Sequence, residues 1–166
     1  MFRRGDLVWG KMKTYPWWPA IILDAKDCGK KQSKNKMWLF WFGDNKISEL
    51  ECERIVTFED NYLKNASKRS GNLFKTAVQE ILKVKAYQQH LALDDISSLH
   101  EWAVSGFKNS SISCSIKKYE INGLPEIVIN ALENLQSKNI NDDDSDDDDE
   151  KDPVFEVQRG LKMLHG

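Results

Sequence analysis

Aromatic rings and lysines are the residues of this 166-residue chain whose types and spacing could do chemistry. Tyr15, Trp17 and Trp18 crowd into one short stretch, and Trp38, Phe40, Trp41 and Phe42 into another. A ring face attracts a cation, and a lysine attracts an anion. Consecutive residues of a strand point to opposite faces, so of Trp17 and Trp18 one can line a pocket while the other joins the core. The same alternation separates Trp41 from Phe42. A large ring at strand spacing is far more often packed than functional, which assigns Trp9, Trp38, Phe40 and Phe42 to a core or a barrel rim.

Other chemistries have little support. There is no Gly-rich phosphate loop, no Gly-x-Ser-x-Gly elbow and no Pro-Cys pair, so no enzyme is read here and no cofactor is expected. Cys28, Cys52 and Cys114 are odd in number and lack CxxC spacing, and none of His90, His100 and His165 lies within five residues of one, so no metal is expected. No run approaches the roughly 18 apolar residues of a membrane span, and Met1–Asp6 lead into a strand pattern without a signal-peptide core, so a soluble intracellular protein is expected.

The net charge of −2 conceals a polarity. Residues 1–89 hold 17 Lys and Arg against 10 Asp and Glu, whereas residues 90–166 hold 7 against 16. The front half, at +7, suits a negatively charged partner, nucleic acid first. Lys11, Lys13, Lys30, Lys31, Lys34, Lys36 and Lys46 flank the aromatic cluster in sequence, with Lys64, Lys68 and Arg69 as possible extensions, and suit phosphate contacts that read no bases.

The elements that must position these groups follow from pattern. Residues 6–25 and 37–56 read as short strands joined by a polar loop with five lysines from Lys26 to Lys36, and Gly43-Asp44-Asn45 is a turn signal. Strands this short and this linked predict a curled barrel. A short helix is expected to start between Phe58 and Leu63, and a helical stripe runs from Phe74 to Lys85. Further helices are expected over Asp94–Val104 and Leu124–Leu135, the second with Pro125 in its first turn. Asp142–Glu150 is almost entirely acidic and should be disordered, with Ser145 in a context that acidophilic kinases use.

Gly5-Asp6-Leu7-Val8-Trp9-Gly10-Lys11, then Tyr15-Pro16-Trp17-Trp18-Pro19-Ala20, then Trp41-Phe42-Gly43-Asp44 resemble the PWWP domain, whose four-residue signature is complete at 16–19. The likeness is strong over residues 4–56 and looser to about 89. Trp41-Phe42-Gly43-Asp44 followed by Lys46-Ile47-Ser48-Glu49 is most similar to the PWWP domain of de novo DNA methyltransferases, whose catalytic domain would lie outside these residues. The resemblance implies an α+β fold, a five-stranded SH3-like β-barrel of the Royal family type followed by a C-terminal helical bundle. The expected division is a barrel at 1–60, a helical segment at 61–138 and an acidic disordered linker and tail at 139–166.

The resemblance also implies a site. A trimethylated lysine keeps its charge but has no N–H to donate, so aromatic faces must surround it. In the family the cage rings map onto Tyr15, Trp18 and Trp41, with Asp44, Ser48 and Glu49 as peptide-binding neighbours, although Asp44 is equally suited to stabilising its own turn. The expected partners are a histone-three tail methylated at lysine 36 and nucleosomal or double-stranded DNA, in the nucleus. The rival reading is a sequence-nonspecific DNA-binding domain whose aromatic residues are structural.

Overall fold

A computed structural model describes residues 1–66, 71–93, 98–108, 120–121 and 123–141. Five strands, β1 (Leu7–Gly10), β2 (Trp18–Leu23), β3 (Lys36–Trp41), β4 (Lys46–Glu51) and β5 (Ile55–Thr57), form one antiparallel sheet in the order β4-β3-β2-β1-β5. Four helices follow among the described residues: α1 (Tyr62–Ala66), α2 (Asn72–Gln88), α3 (Leu99–Val104) and α4 (Glu126–Asn141).

Register sorts the side chains into two faces. Val8, Gly10, Trp18, Ala20, Ile22, Leu39, Trp41, Ser48, Leu50 and Ile55 share one face, and all are buried. The sheet curls around that face. A Cβ placed on Gly10 in β1 would lie 2.4 Å from Cη2 of Trp41 and 3.0 Å from Cδ2 of Leu50, although two strands separate β1 from β4. The opposite face carries Trp9, Ile21, Leu23 and Phe40, each fully buried. There Trp9 stacks on Phe58 at 5.1 Å and on Phe74 of α2 at 6.2 Å, and its Nε1 donates to the Phe58 carbonyl at 3.1 Å. The helical stripe read from the sequence is α2, which buries Phe74, Ala77, Val78, Ile81 and Leu82.

Two boundaries differ from expectation. The pattern from Leu124 predicts the start of a helix, but Leu124 and Pro125 form β7 (Leu124–Pro125), paired with β6 (Glu120–Ile121), and α4 begins at Glu126. The cause is Pro125, whose ring disfavours the helical region for the residue before it, so Leu124 is extended. Secondly, α4 continues to Asn141, so residues 139–141 of the expected linker are helical. The rest of that linker, 142–166, lies outside the described residues, as do Lys68, Arg69, Cys114 and the start of the helix expected from Asp94.

Arg4 ties the chain's start to the short 3-10 turn Ala25–Cys28 after β2. Its Nε donates to Asp27 Oδ2 at 2.7 Å, and the same oxygen accepts from the backbone N–H of Asp24 at 2.9 Å. Burial alone would raise the Asp27 carboxyl, but the Arg4 bond and charge and the Asp24 N–H outweigh it, leaving it below the usual carboxylate range. The fold therefore favours the ionised form. That contribution is present above the ordinary value near 4 and is lost as pH falls through the lower folded value. Asp27→Asn is expected to lower stability by about 1 kcal/mol at pH 7, since the pair is partly screened. In denaturant titrations from pH 7 to 2, the gap between variant and parent should close below about pH 4. A gap that persists at pH 2 would show that the carboxylate's charge is not its source.

Candidate functional site

One end of the sheet gathers the residues singled out by the resemblance. The β1–β2 connection carries Tyr15, β2 begins at Trp18, β3 ends at Trp41, and the β3–β4 turn holds Asp44. The turn is tight: the Asn45 N–H donates to the Trp41 carbonyl at 3.0 Å, with Gly43 at φ +80° and Asn45 at φ +57°. It is pressed against α2, for a Cβ on Gly43 would lie 2.9 Å from the Ala77 Cβ and 3.1 Å from the Leu73 carbonyl oxygen. Glu80 of α2 accepts the Gly43 N–H at 2.7 Å. The helix thus fixes the turn that carries Asp44.

The two indoles are locked. Trp18 is 2% exposed, donates from Nε1 to the Phe42 carbonyl at 2.8 Å, and meets Phe74 edge-on at 5.4 Å. Trp41 is fully buried over Gly10 and donates from Nε1 to Ser48 Oγ at 2.7 Å. Tyr15 is half-buried, as is Trp17 beside it. The loop under Tyr15 is held by Lys11, whose Nζ donates to the carbonyls of Met12, at 2.8 Å, and Tyr15. Burial pushes the Tyr15 hydroxyl above its ordinary pKa, and the nearby charge of Asp44 adds to the rise. Tyr15 thus feels the charge of Asp44, which is itself half-buried with Oδ2 enclosed.

The remaining residues are divided. Ser48, 2% exposed, lies beneath the Trp41 indole. Glu49 points to the other face, opposite Trp38, half-buried and with Oε2 enclosed. The two do not share a groove. The lysines divide as well. Lys11, Lys13 and Lys46 sit at the Tyr15 end, whereas Lys30, Lys31, Lys34 and Lys36 lie on the β2–β3 connection at the opposite end. Trp41 and Lys36 bound the same strand, about 17 Å apart at roughly 3.3 Å per residue. The lysine set is thus split, three beside the cage residues and four at the far end, because sequence proximity across a strand end becomes separation along the strand.

Sequence reasoning missed three supports of this end: Gly10 as the floor under Trp41, Gly43 as the contact with α2, and Glu80 as its anchor. The first had a signal, since a glycine inside a strand marks a close approach.

Residues 5–86 match the family model of the PWWP domain. The chain is 29% identical over 92 residues to PWWP domain-containing protein 2B of Mus musculus, covering 53% of this chain and 15% of that protein. It is 32% identical over 83 residues to PWWP domain-containing protein 2A of Xenopus tropicalis, covering 48% and 10%. With PWWP domain-containing protein 4 of Arabidopsis thaliana it shares 28% over 96 residues, 55% and 10% of the two chains. The solution structure of the second PWWP domain of the WHSC1L1 protein aligns at a TM-score of 0.46 and 22% identity, over 58% of this chain and 92% of that one. The chain spans only 10–15% of the length of the three PWWP domain-containing proteins it matches. They are named for the domain and not as DNA methyltransferases, so they do not show the narrower resemblance. Residues 5–86, with the Pro16-Trp17-Trp18-Pro19 signature leading into β2, therefore match the PWWP domain.

Proposed function

We propose that this domain is a nuclear chromatin reader that takes a di- or trimethylated lysine 36 of the histone-three tail at the Tyr15, Trp18 and Trp41 end. The curled sheet is read as an SH3-like barrel of the Royal family type, serving as a rigid binding module and not an enzyme. The observation that carries the reading is the convergence of Tyr15, Trp18, Trp41 and Asp44 at one end of the sheet, where β2 begins, β3 ends and the turn after Trp41 starts. A methylated ammonium needs ring faces and a nearby negative charge, and both are supplied there. Tyr15 alone of the three rings keeps appreciable exposed surface, so it is the ring that a ligand meets first. Cation–π contacts of about 0.5–2 kcal/mol each give modest affinity for a lone peptide, and lysine contacts with nucleosomal DNA supply the remainder. The domain would then direct whatever it is joined to, and Trp41-Phe42-Gly43-Asp44 with Lys46-Ile47-Ser48-Glu49 favours a de novo DNA methyltransferase as that companion.

Matched unmodified and trimethylated peptides titrated against the chain test this. The trimethylated peptide should bind at least fivefold tighter, and Tyr15→Ala should abolish the preference while leaving the thermal midpoint nearly unchanged, since Tyr15 is half-buried. Equal binding of the two peptides by the parent chain would sink the cage. The complete burial of Trp18 and Trp41 favours the second reading, a nonspecific DNA-binding domain with a structural aromatic core. That reading predicts salt-steep duplex binding with no response to methylation.

A further inference from the structure

The connection between β2 and β3 carries Lys26, Lys30, Lys31, Lys34 and Lys36, all exposed. None of the five makes an ion pair among the described residues, and the two carboxylates inside the connection, Asp24 and Asp27, both pair with Arg4, at 3.9 and 2.7 Å. The loop therefore presents concentrated positive charge that no ion pair among the described residues neutralises. It belongs to the end of the sheet away from Tyr15 and Asp44.

The helix α4, which lies beyond the family match, packs against the 3-10 turn Ala25–Cys28 at the start of this loop. Val128 and Leu132 of α4 and Leu124 just before it are buried in the same core cluster as Cys28 of that turn, and a Cβ on Gly123 would come within 3.2 Å of the Arg4 guanidinium. Directly after Asn141, where α4 ends, come Asp142 to Glu150, which are acidic at every position but Ser145. The helix has 16 residues, a length of about 24 Å at 1.5 Å per residue. Nine more residues extend at most about 30 Å. Whichever end of α4 touches the turn, the acidic tract is tethered within its own reach of the lysines.

We propose that residues 142–150 occupy the β2–β3 lysine loop in cis, as a polyanion that competes there with nucleic acid. Charge complementarity selects this occupant, and the tether raises its effective concentration to about the millimolar range, leaving the entropy of loop closure as the opposing cost. The contact is electrostatic and exposed, so salt loosens it. The competition rests on the reading that these lysines contact DNA, whereas the intramolecular contact does not.

The test compares the full chain with a full-length variant carrying Asp142→Asn, Asp143→Asn, Asp144→Asn, Asp146→Asn, Asp147→Asn, Asp148→Asn, Asp149→Asn and Glu150→Gln. Neutralising the tract should shift the backbone amide resonances of residues 29–36, and raising salt should move the parent's resonances towards the variant's. The variant should also bind a random-sequence DNA duplex about tenfold tighter at low salt, with the gap closing near 0.3 M as screening removes the competitor. Superimposable amide spectra and equal affinities would overturn the proposal. So would an unchanged gain when Lys30→Gln, Lys31→Gln and Lys34→Gln are added to both chains, because the gain would then come from net charge and not from this loop. Amide shifts without duplex binding by either chain would support the contact and remove the DNA reading.

Discussion

Trp41→Ala is expected to lower the unfolding free energy by about 3–5 kcal/mol, the range for truncating a buried large ring. The indole is fully buried, with its six-membered ring over Gly10 and its Nε1 bonded to Ser48 Oγ. Removing it leaves a cavity inside the curl of the sheet, and it leaves the Ser48 hydroxyl without its buried partner, itself a cost of about 1–3 kcal/mol. Against a total of about 5–15 kcal/mol for a domain, this is enough to populate unfolded chain at body temperature. Trp38→Ala is the control, since Trp38 is half-buried on the other face and its Nε1 reaches the Lys31 carbonyl only at 3.4 Å. Urea titrations should give the Trp38 variant less than half the loss of the Trp41 variant. A Trp41→Ala loss below 1 kcal/mol would mean that the ring is not structural. The consequence for function is direct. Loss of peptide binding in Trp41→Ala cannot be credited to a cage, and for that reason the binding test above is built on Tyr15.

The strands and the main helix were legible because each carries a local signal. Aromatic and β-branched runs broken by Gly43-Asp44-Asn45 mark the β3–β4 hairpin, and Phe74, Ala77, Ile81 and Leu82 repeat with the helical period. Alternation also put Trp17 and Trp18 on different footings, and Trp17 stays half-buried while Trp18 is enclosed. What could not be read were relations between elements. Nothing local to Lys30 or Lys46 says that they stand at opposite ends of β3, because that follows from strand pairing. Nothing near Glu80 says that it takes the Gly43 N–H, a contact across 37 positions. Ser48 looked like a groove residue because it lies near the cage motif in sequence, whereas register turns it inward beneath Trp41. Pro125 misled for a different reason: a proline suits both the first turn of a helix and the residue just ahead of one, and pairing with Glu120 selected the second.

Gly10→Ala should be nearly as damaging as the loss of the indole, and it isolates the contact on which that end of the sheet is built. The added methyl would lie 2.4 Å from Cη2 and 2.7 Å from Cζ3 of Trp41, distances that no packed carbon tolerates. The ring cannot swing aside, because it is enclosed on all sides and its Nε1 is held by Ser48. Overpacking of this kind costs about 3 kcal/mol where the surroundings do not yield. The backbone at Gly10 needs no left-handed conformation, so the penalty arises from the contact alone. That makes it correctable. Trp41→Phe deletes Cη2 and Cζ3, the two atoms in conflict, and alone it costs a cavity. In the double variant the new methyl fills part of that cavity, so its loss should fall short of the sum of the two single losses by about 1–3 kcal/mol, as coupled neighbours do. Equilibrium denaturation of the four chains measures the difference. Losses that simply add would mean that the methyl and the ring never meet, and the curl of the sheet would then have to close by some other contact than Trp41 on Gly10.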